Sequence, residues 1–159
     1  MNKFLLIGLV SAVCAISAAQ AADAGAPRFE DFAVNGKFVG KAAKVRLVSA
    51  DDKAYATRIR EASRQKPNFA GHYVLASWGC GASCVSSVAI DTKTGRVTWL
   101  PFTVCCWDVD VQEPIEFRRD SRLLVVHGSR NEAGSGTYYY ALDKDKFKLV
   151  KAVEKAAKN

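Results

Sequence analysis

The chain has few of the residues from which enzymes and cofactor sites are usually built. It holds two histidines, one methionine and four prolines in 159 residues. No segment spells G-x-S-x-G, H-E-x-x-H, C-x-x-C or a phosphate-cradling glycine loop. Those absences exclude the serine-hydrolase elbow, the zinc-protease helix, the thioredoxin-type redox pair and the nucleotide P-loop. A general base at neutral pH has to be His72, His127 or a perturbed carboxylate. Long apolar runs are missing too. The stretch from Phe4 to Ile16 falls short of the roughly 20 residues that span a bilayer, and no later segment is longer, so stable membrane insertion is not expected.

That short run has the form of an export signal. Asn2-Lys3 supplies a cationic start and Ala19-Gln20-Ala21 an A-x-A site, which predicts a signal peptide over residues 1–21, cleaved after Ala21, and a periplasmic or secreted protein. Cys14 would be discarded with it. Removing the signal takes away Lys3 alone among charged residues and lowers the formal net charge from +7 to +6. Outside the cell interior, such a charge faces peptidoglycan carboxylates, phosphorylated lipids and acidic proteins rather than nucleic acid.

Four cysteines remain, grouped as Cys80-Gly-Ala-Ser-Cys84 and the adjacent pair Cys105-Cys106. An even set in an oxidising compartment predicts two disulfides, with three connectivities open. Neighbouring residues of an extended strand point to opposite faces, and a bridge between Cys105 and Cys106 would demand an unusual backbone. Two bonds joining the clusters are therefore expected, the choice of partners being open. Adjacent cysteines also chelate one tetrahedral ion awkwardly. No metal or cofactor is expected.

Residues 22–28 are small and aperiodic and predict a flexible leader, followed by a single β-rich domain over 29–150 and a loosely held C-terminal tail over 151–159, drawn as a short helix. Asn35-Gly36 suits a type I′ hairpin between Phe32–Val34 and Lys37–Val39, and Val45–Val48 has strand composition. Ser49 as cap, Asp51 and Asp52 in the first turn, and Tyr55, Ile59 and Ala62 on one face predict an amphipathic helix over about 50–65, ended by Pro67. Alternating patterns then predict strands at His72–Trp78, Val85–Asp91, Arg96–Leu100, Ile115–Phe117, Leu123–His127, Thr137–Leu142 and Phe147–Val150, with Gly95 at a positive-φ turn position. The fold class is α+β, mainly an antiparallel sheet of about seven or eight strands with one helix in the N-terminal half, stabilised by disulfides.

Two groups of side chains invite a functional reading. His127-Gly128-Ser129-Arg130 could place a base at a strand end, with Asp108, Asp110 or Glu132 as its acid; His72 is the other candidate base. Asp108, Asp110, Glu113 and Glu116 are expected on an alternating solvent-facing strand, and Trp78, Trp99 and Trp107 in core packing over the disulfides. The Gly/Ser-rich segment from Arg130 to Gly136, with Arg130, Asn131, Ser135, Gly136 and Tyr139, suits a binding loop backed by a tyrosine-rich strand.

Asn68-Phe69-Ala70-Gly71-His72-Tyr73, Trp78-Gly79-Cys80-Gly81, Cys84 and Asp91 with Thr94-Gly95 resemble a group of uncharacterised exported bacterial proteins, a likeness that spans most of the chain beyond the signal and implies no particular activity. Ser135-Gly136-Thr137-Tyr138-Tyr139 is similar to the Ser-Gly-x-x-Tyr signature of periplasmic lysozyme inhibitors. That resemblance implies a small β-rich protein whose signature loop, here Ser135, Gly136 and Tyr139, enters a lysozyme cleft; the cysteine pattern departs from that family. The expected function is a non-enzymatic exported binding domain, of the inhibitor or immunity type, whose partner is an envelope protein or hydrolase. The alternatives are a small hydrolase using His127 or His72 and a passive binder of anionic envelope polymers.

Overall fold

The computed structural model describes residues 25–36 and 38–156. The expected signal segment with Cys14, the start of the expected leader, Lys37 and the last three residues of the tail lie outside the described residues. No helix among the described residues is long and apolar enough to cross a membrane.

The alternating segments form an antiparallel sheet of eight strands: β1 (Tyr73–Gly81), β2 (Cys84–Asp91), β3 (Val97–Trp99), β4 (Val104–Cys105), β5 (Ile115–Phe117), β6 (Leu123–Arg130), β7 (Ala133–Asp143) and β8 (Lys146–Glu154). The main path runs β1-β2-β4-β6-β7-β8, with β3 also on β2 and β5 also on β6. One set of alternate side chains builds the main core, in which Leu75, Ala89, Val104, Leu124, Val126, Tyr138 and Tyr140 surround Phe69. The sheet curls around this core. At the start of β1 the Tyr73 hydroxyl donates to Asp145 Oδ1 in the β7–β8 turn at 2.7 Å, and Phe69 stacks on Phe147 at 6.3 Å between centroids. Burial, and then the Asp145 hydrogen bond, push the Tyr73 phenol well above its ordinary range.

The opposite face of β1 and β2 presents Val74, Trp78, Val88 and Ile90 to a second core, closed by Ile59 and Ala62 from the helical segment. This segment begins where Ser49 caps it, but it is two short helices, α1 (Ala50–Ala54) and α2 (Ala56–Ala62), and not one. Tyr55 breaks the run at ψ 21°, with its ring 5.5 Å from both Trp78 and Trp99. Asp52 does double duty. Its Oδ2 accepts from the backbone N–H groups of Val48 and Ser49 at 2.8 and 2.9 Å, completing a capping box, while Oδ1 accepts from Trp99 Nε1 at 2.8 Å. The cap therefore also fastens the helix to β3.

Several local expectations are corrected. Asn35-Gly36 makes no hairpin: Val34 N–H bonds the Asp120 carbonyl and Ala33 bridges Ser121, so this segment pairs with a turn far along the chain. Val45–Val48 is not a strand, although Arg46 N–H reaches the Gly95 carbonyl at 2.7 Å. The tail forms no helix up to residue 156, because β8 continues through Glu154 on β7. The acidic stretch is turn and coil from Asp108 to Pro114, exposed as expected but strand only from Ile115. Trp78 and Trp99 meet edge to face at 5.6 Å beneath α1 and α2, not over the disulfide, while Trp107 packs on the main core. The expected turn glycine holds: Gly95 has φ +74°, and a Cβ there would sit 2.1 Å from the Lys44 carbonyl oxygen.

Candidate functional site

Register places three features at one end of the sheet. Cys84 on β2 pairs with Cys105 on β4, Cys105 pairs with Ser129 on β6, and Val104 with Arg130. The turn between β1 and β2, the cysteine pair and the β6–β7 hairpin therefore converge. His72 precedes Tyr73, which pairs with Asp91 at the far end of the β1–β2 ladder.

The cysteines pair differently from expectation. Cys80 is bonded to Cys84, with their Cα atoms 5.2 Å apart, and no bond joins the two clusters. The reason is local. A register shift between Gly79 and Gly81 displaces Cys80 from the ladder, and a tight turn through Ser83, at φ +48°, brings Cys84 back beside it. Cys105 and Cys106 are free thiols, Cys105 buried and Cys106 exposed, with their sulfurs 2.7 Å apart. The hydrogen bond to Cys106, followed by burial, pushes the Cys105 thiol above its ordinary range.

The segment from Arg130 to Gly136 is not a flexible loop. It is the tip of a hairpin in which Arg130 pairs with Ala133 across Asn131 and Glu132, at φ +50° and +64°, the two positive values of a type I′ turn. Asn131 Oδ1 accepts from Thr103 N–H at 2.9 Å, Asn131 N–H returns a bond of 2.9 Å to the Thr103 carbonyl, and Ser129 Oγ donates to the Gly134 carbonyl at 2.5 Å. The Arg130 guanidinium lies 3.8 Å from the Tyr138 ring centroid and donates to the Tyr140 hydroxyl at 2.8 Å, with Glu154 at 3.7 Å. Asn131, Glu132, Ala133 and Gly134 are all exposed.

Ser135, Gly136 and Tyr139 belong to the body of β7. Ser135 is half-buried, its carbonyl accepting from Lys155 N–H at 2.7 Å. Gly136 is buried where β8 presses closest, and a Cβ there would lie 2.3 Å from the Val153 carbonyl oxygen. Tyr139 is half-buried opposite Val125 and Lys151. The hairpin thus separates the expected residues: Arg130 and Asn131 reach the tip, the other three support it.

His127 has partners that could do chemistry, but the acid is not one of those expected. Its Nε2–H donates to Glu116 Oε1 at 2.6 Å, leaving Nδ1 to accept from the Thr137 hydroxyl at 3.3 Å. The order carboxylate, imidazole, hydroxyl is that of a nucleophile-activating triad. No hydrogen bond or ion pair joins Asp108, Asp110 or Glu132 to the ring; Asp108 lines the same cleft but pairs with Lys155. Glu116 reaches His127 because β5 and β6 are antiparallel, with Glu116 opposite Val125, a diagonal neighbour of His127 on the same face. Antiparallel pairing of two predicted strands across the Arg119-Asp120 turn was the available signal. The adjoining cleft, lined by Gly128, Ser135, Thr137 and Lys155 among others, has a volume of about 50 Å³, room for a few waters and no sugar ring.

His72 has Asp91 Oδ1 3.5 Å from its Nε2 and its ring 4.4 Å from Tyr73. Burial, and after it the charge of Lys93, lower its pKa below the ordinary imidazole value, against the opposing pull of Asp91 and Asp145. It borders a shallow hollow of about 560 Å³ with Val34, Phe38, Gly71 and Lys93, remote in the ladder from His127. Among the described residues, no three His, Cys, Asp or Glu side chains gather where they could hold a metal ion. No family model, curated protein or solved structure matches the chain.

Proposed function

We propose that this is an exported binding protein of the inhibitor or immunity type, which engages an envelope-directed hydrolase with the tip of its β6–β7 hairpin. The observation that carries the reading is the combination of four exposed tip residues, Asn131 to Gly134, with a backbone already tied on both sides. An element whose shape is set before contact loses little conformational freedom on binding, so more of its contact energy appears as affinity. A two-residue turn is also narrow enough to enter a substrate cleft. The clustered arginine and tyrosines behind the tip are residue types favoured as anchors in interfaces.

The test is titration of peptidoglycan-degrading and esterolytic hydrolases with the purified protein, scored by loss of their turnover. The expected result is saturable inhibition of at least one enzyme near one-to-one stoichiometry, weakened more than tenfold by Ala133→Arg at the tip and unchanged by Lys93→Ala at the distant hollow. Inhibition that survives Ala133→Arg would place contact elsewhere and sink the hairpin reading.

The Glu116–His127–Thr137 chain favours a second reading, a small hydrolase with Thr137 as nucleophile. Turnover by the protein itself that disappears in His127→Ala, while the unfolding midpoint stays within a degree or two, would establish it over the first. Attachment to anionic envelope polymers through the surplus positive charge would instead vanish with modest salt and show no dependence on position 133.

A further inference from the structure

The adjacent thiols of Cys105 and Cys106 take no part in the binding surface proposed above, yet their geometry is not that of two idle cysteines. Their sulfurs stand 2.7 Å apart, closer than the roughly 3.5–4.0 Å of optimal contact between carbon atoms, which are smaller than sulfur, and not far beyond the roughly 2.05 Å of a bond. In a regular strand two neighbouring side chains point to opposite faces. Here the backbone departs from a strand: β4 ends at Cys105, and Cys106 has φ +56°, in the left-handed region that non-glycine residues seldom adopt. That turn swings the second sulfur back beside the first.

The surroundings are shaped to permit it. Gly128, at φ +114°, lies under the pair, and a Cβ there would stand 2.3 Å from the Cys105 carbonyl oxygen and 3.1 Å from Trp107 N. Only a glycine allows β6 to approach this closely. A backbone conformation of this cost persists at functional places where the surroundings hold it.

We propose that Cys105 and Cys106 are a redox-active vicinal pair that oxidises to a disulfide closed across a single peptide bond, with a small-molecule disulfide as oxidant. Cys106 is exposed and attacks first: its thiolate bonds one sulfur of the oxidant, whose S–S bond breaks, releasing one thiolate. Cys105 then gives up its proton and attacks Cys106 Sγ, forming the Cys105–Cys106 bond and releasing the second thiolate. Two protein thiols lose two protons and two electrons, and the oxidant leaves as two thiols. Burial of Cys105 makes it the resolving partner, since reagents reach only Cys106. Thiol–disulfide exchange with Cys84, which lies opposite Cys105 in the ladder, is the competing route and gives a different product.

The experiment treats the purified protein with oxidised glutathione, quenches in acid, alkylates and maps peptides without reduction. The expected result is complete loss of alkylation at both cysteines, with the peptide carrying them lighter by two hydrogens and attached to no other; a dithiol reductant restores both sites. In Cys105→Ser, glutathione should remain on Cys106 for want of a resolving thiol. In Cys106→Ser, the buried Cys105 should take up none. The proposal is overturned if both cysteines of the unmodified sequence stay open to alkylation, if glutathione persists on its Cys106, or if either cysteine is recovered joined to Cys80 or Cys84. The unmodified sequence alone decides, so a variant that folds poorly leaves the result intact.

Discussion

At the scale of single residues, Asp52 and His72 couple charge to stability in the same direction by different means. Burial alone would raise the Asp52 carboxyl, but the hydrogen bonds from Trp99, Ser49 and Val48 outweigh it and hold the group below its ordinary value. Its contribution is therefore present above the ordinary aspartate pKa and is lost as pH falls through the lowered one. Replacing it with alanine leaves the Ser49 cap but removes the reciprocal half of the capping box, the acceptor for the Val48 and Ser49 N–H groups, worth about 1 kcal/mol, and orphans the Trp99 N–H, worth a further 1 kcal/mol or so. Asp52→Ala should cost about 2 kcal/mol in denaturant unfolding at neutral pH, with a smaller deficit in acid, where the native carboxylate has itself been protonated. His72 is a base whose folded pKa is depressed, so the unfolded chain takes up its proton first. Acidification from the ordinary imidazole value of 6.5 should begin to lower stability, and the loss is complete below the depressed pKa. A His72→Phe protein should show a flatter unfolding midpoint between neutrality and mild acid; an unchanged slope would mean that His72 carries none of the dependence.

At the scale of elements, the two hairpin turns at the site end and at the curl are instructive because neither contains glycine at its centre. Asn131-Glu132 and Lys144-Asp145 both hold two positive φ values, while Asn35-Gly36, the dipeptide best suited to that turn, makes none. Local preference for a turn is worth about a kilocalorie; the registers of β6–β7 and β7–β8, each extending over eight residue pairs or nearly so, override it. Glu132→Gly should accordingly stabilise the fold by about 1 kcal/mol in calorimetry, and tests the binding reading as well, since a tip that gains stability yet loses inhibition must contact the partner through that side chain. The same contrast explains which parts of the fold were legible in sequence. Ile115–Phe117 coincides with its predicted bounds because alternation and flanking turns both mark it. Tyr55 fell on the apolar face of one expected helix, and only the tertiary contact of its ring with Trp78 and Trp99 accompanies the break. Val104–Cys105, a strand of two residues, is too short for any periodicity to show, and without it neither the Cys105–Ser129 register nor the gathering of the site was visible. Glu116 escaped for a related reason: although it is nearer to His127 in sequence than Asp108 or Asp110, its contact with the ring depends on the pairing of β5 with β6, which alternation alone does not specify.

At the scale of the whole molecule, stability rests on the curled sheet more than on covalent bracing. The Cys80–Cys84 bridge closes a loop with a sequence separation of only 4. On the chain-entropy account a loop so short restrains the unfolded chain by about 2 kcal/mol, less than either of the long bridges expected from sequence. Reduction, or Cys80→Ser with Cys84→Ser, should lower stability by about that amount and leave the strand spectrum in circular dichroism unchanged; outright unfolding would show that the core is weaker than its packing indicates. The outer strand carries a different consequence. Among the described residues β8 pairs with β7 alone, and it exposes Leu149, Val150 and Val153. Its far border is an open template on which another copy could continue the ladder. Two features discourage this: the register shift that leaves Val150 out of step between Leu149 and Lys151, and the charges of Lys146, Lys148 and Lys151. Acetylation of lysines removes the second safeguard while leaving the first. Concentrated acetylated protein should therefore form growing, dye-binding fibrils at a rate the untreated protein does not approach, because the three ammonium groups that interrupt this border are gone.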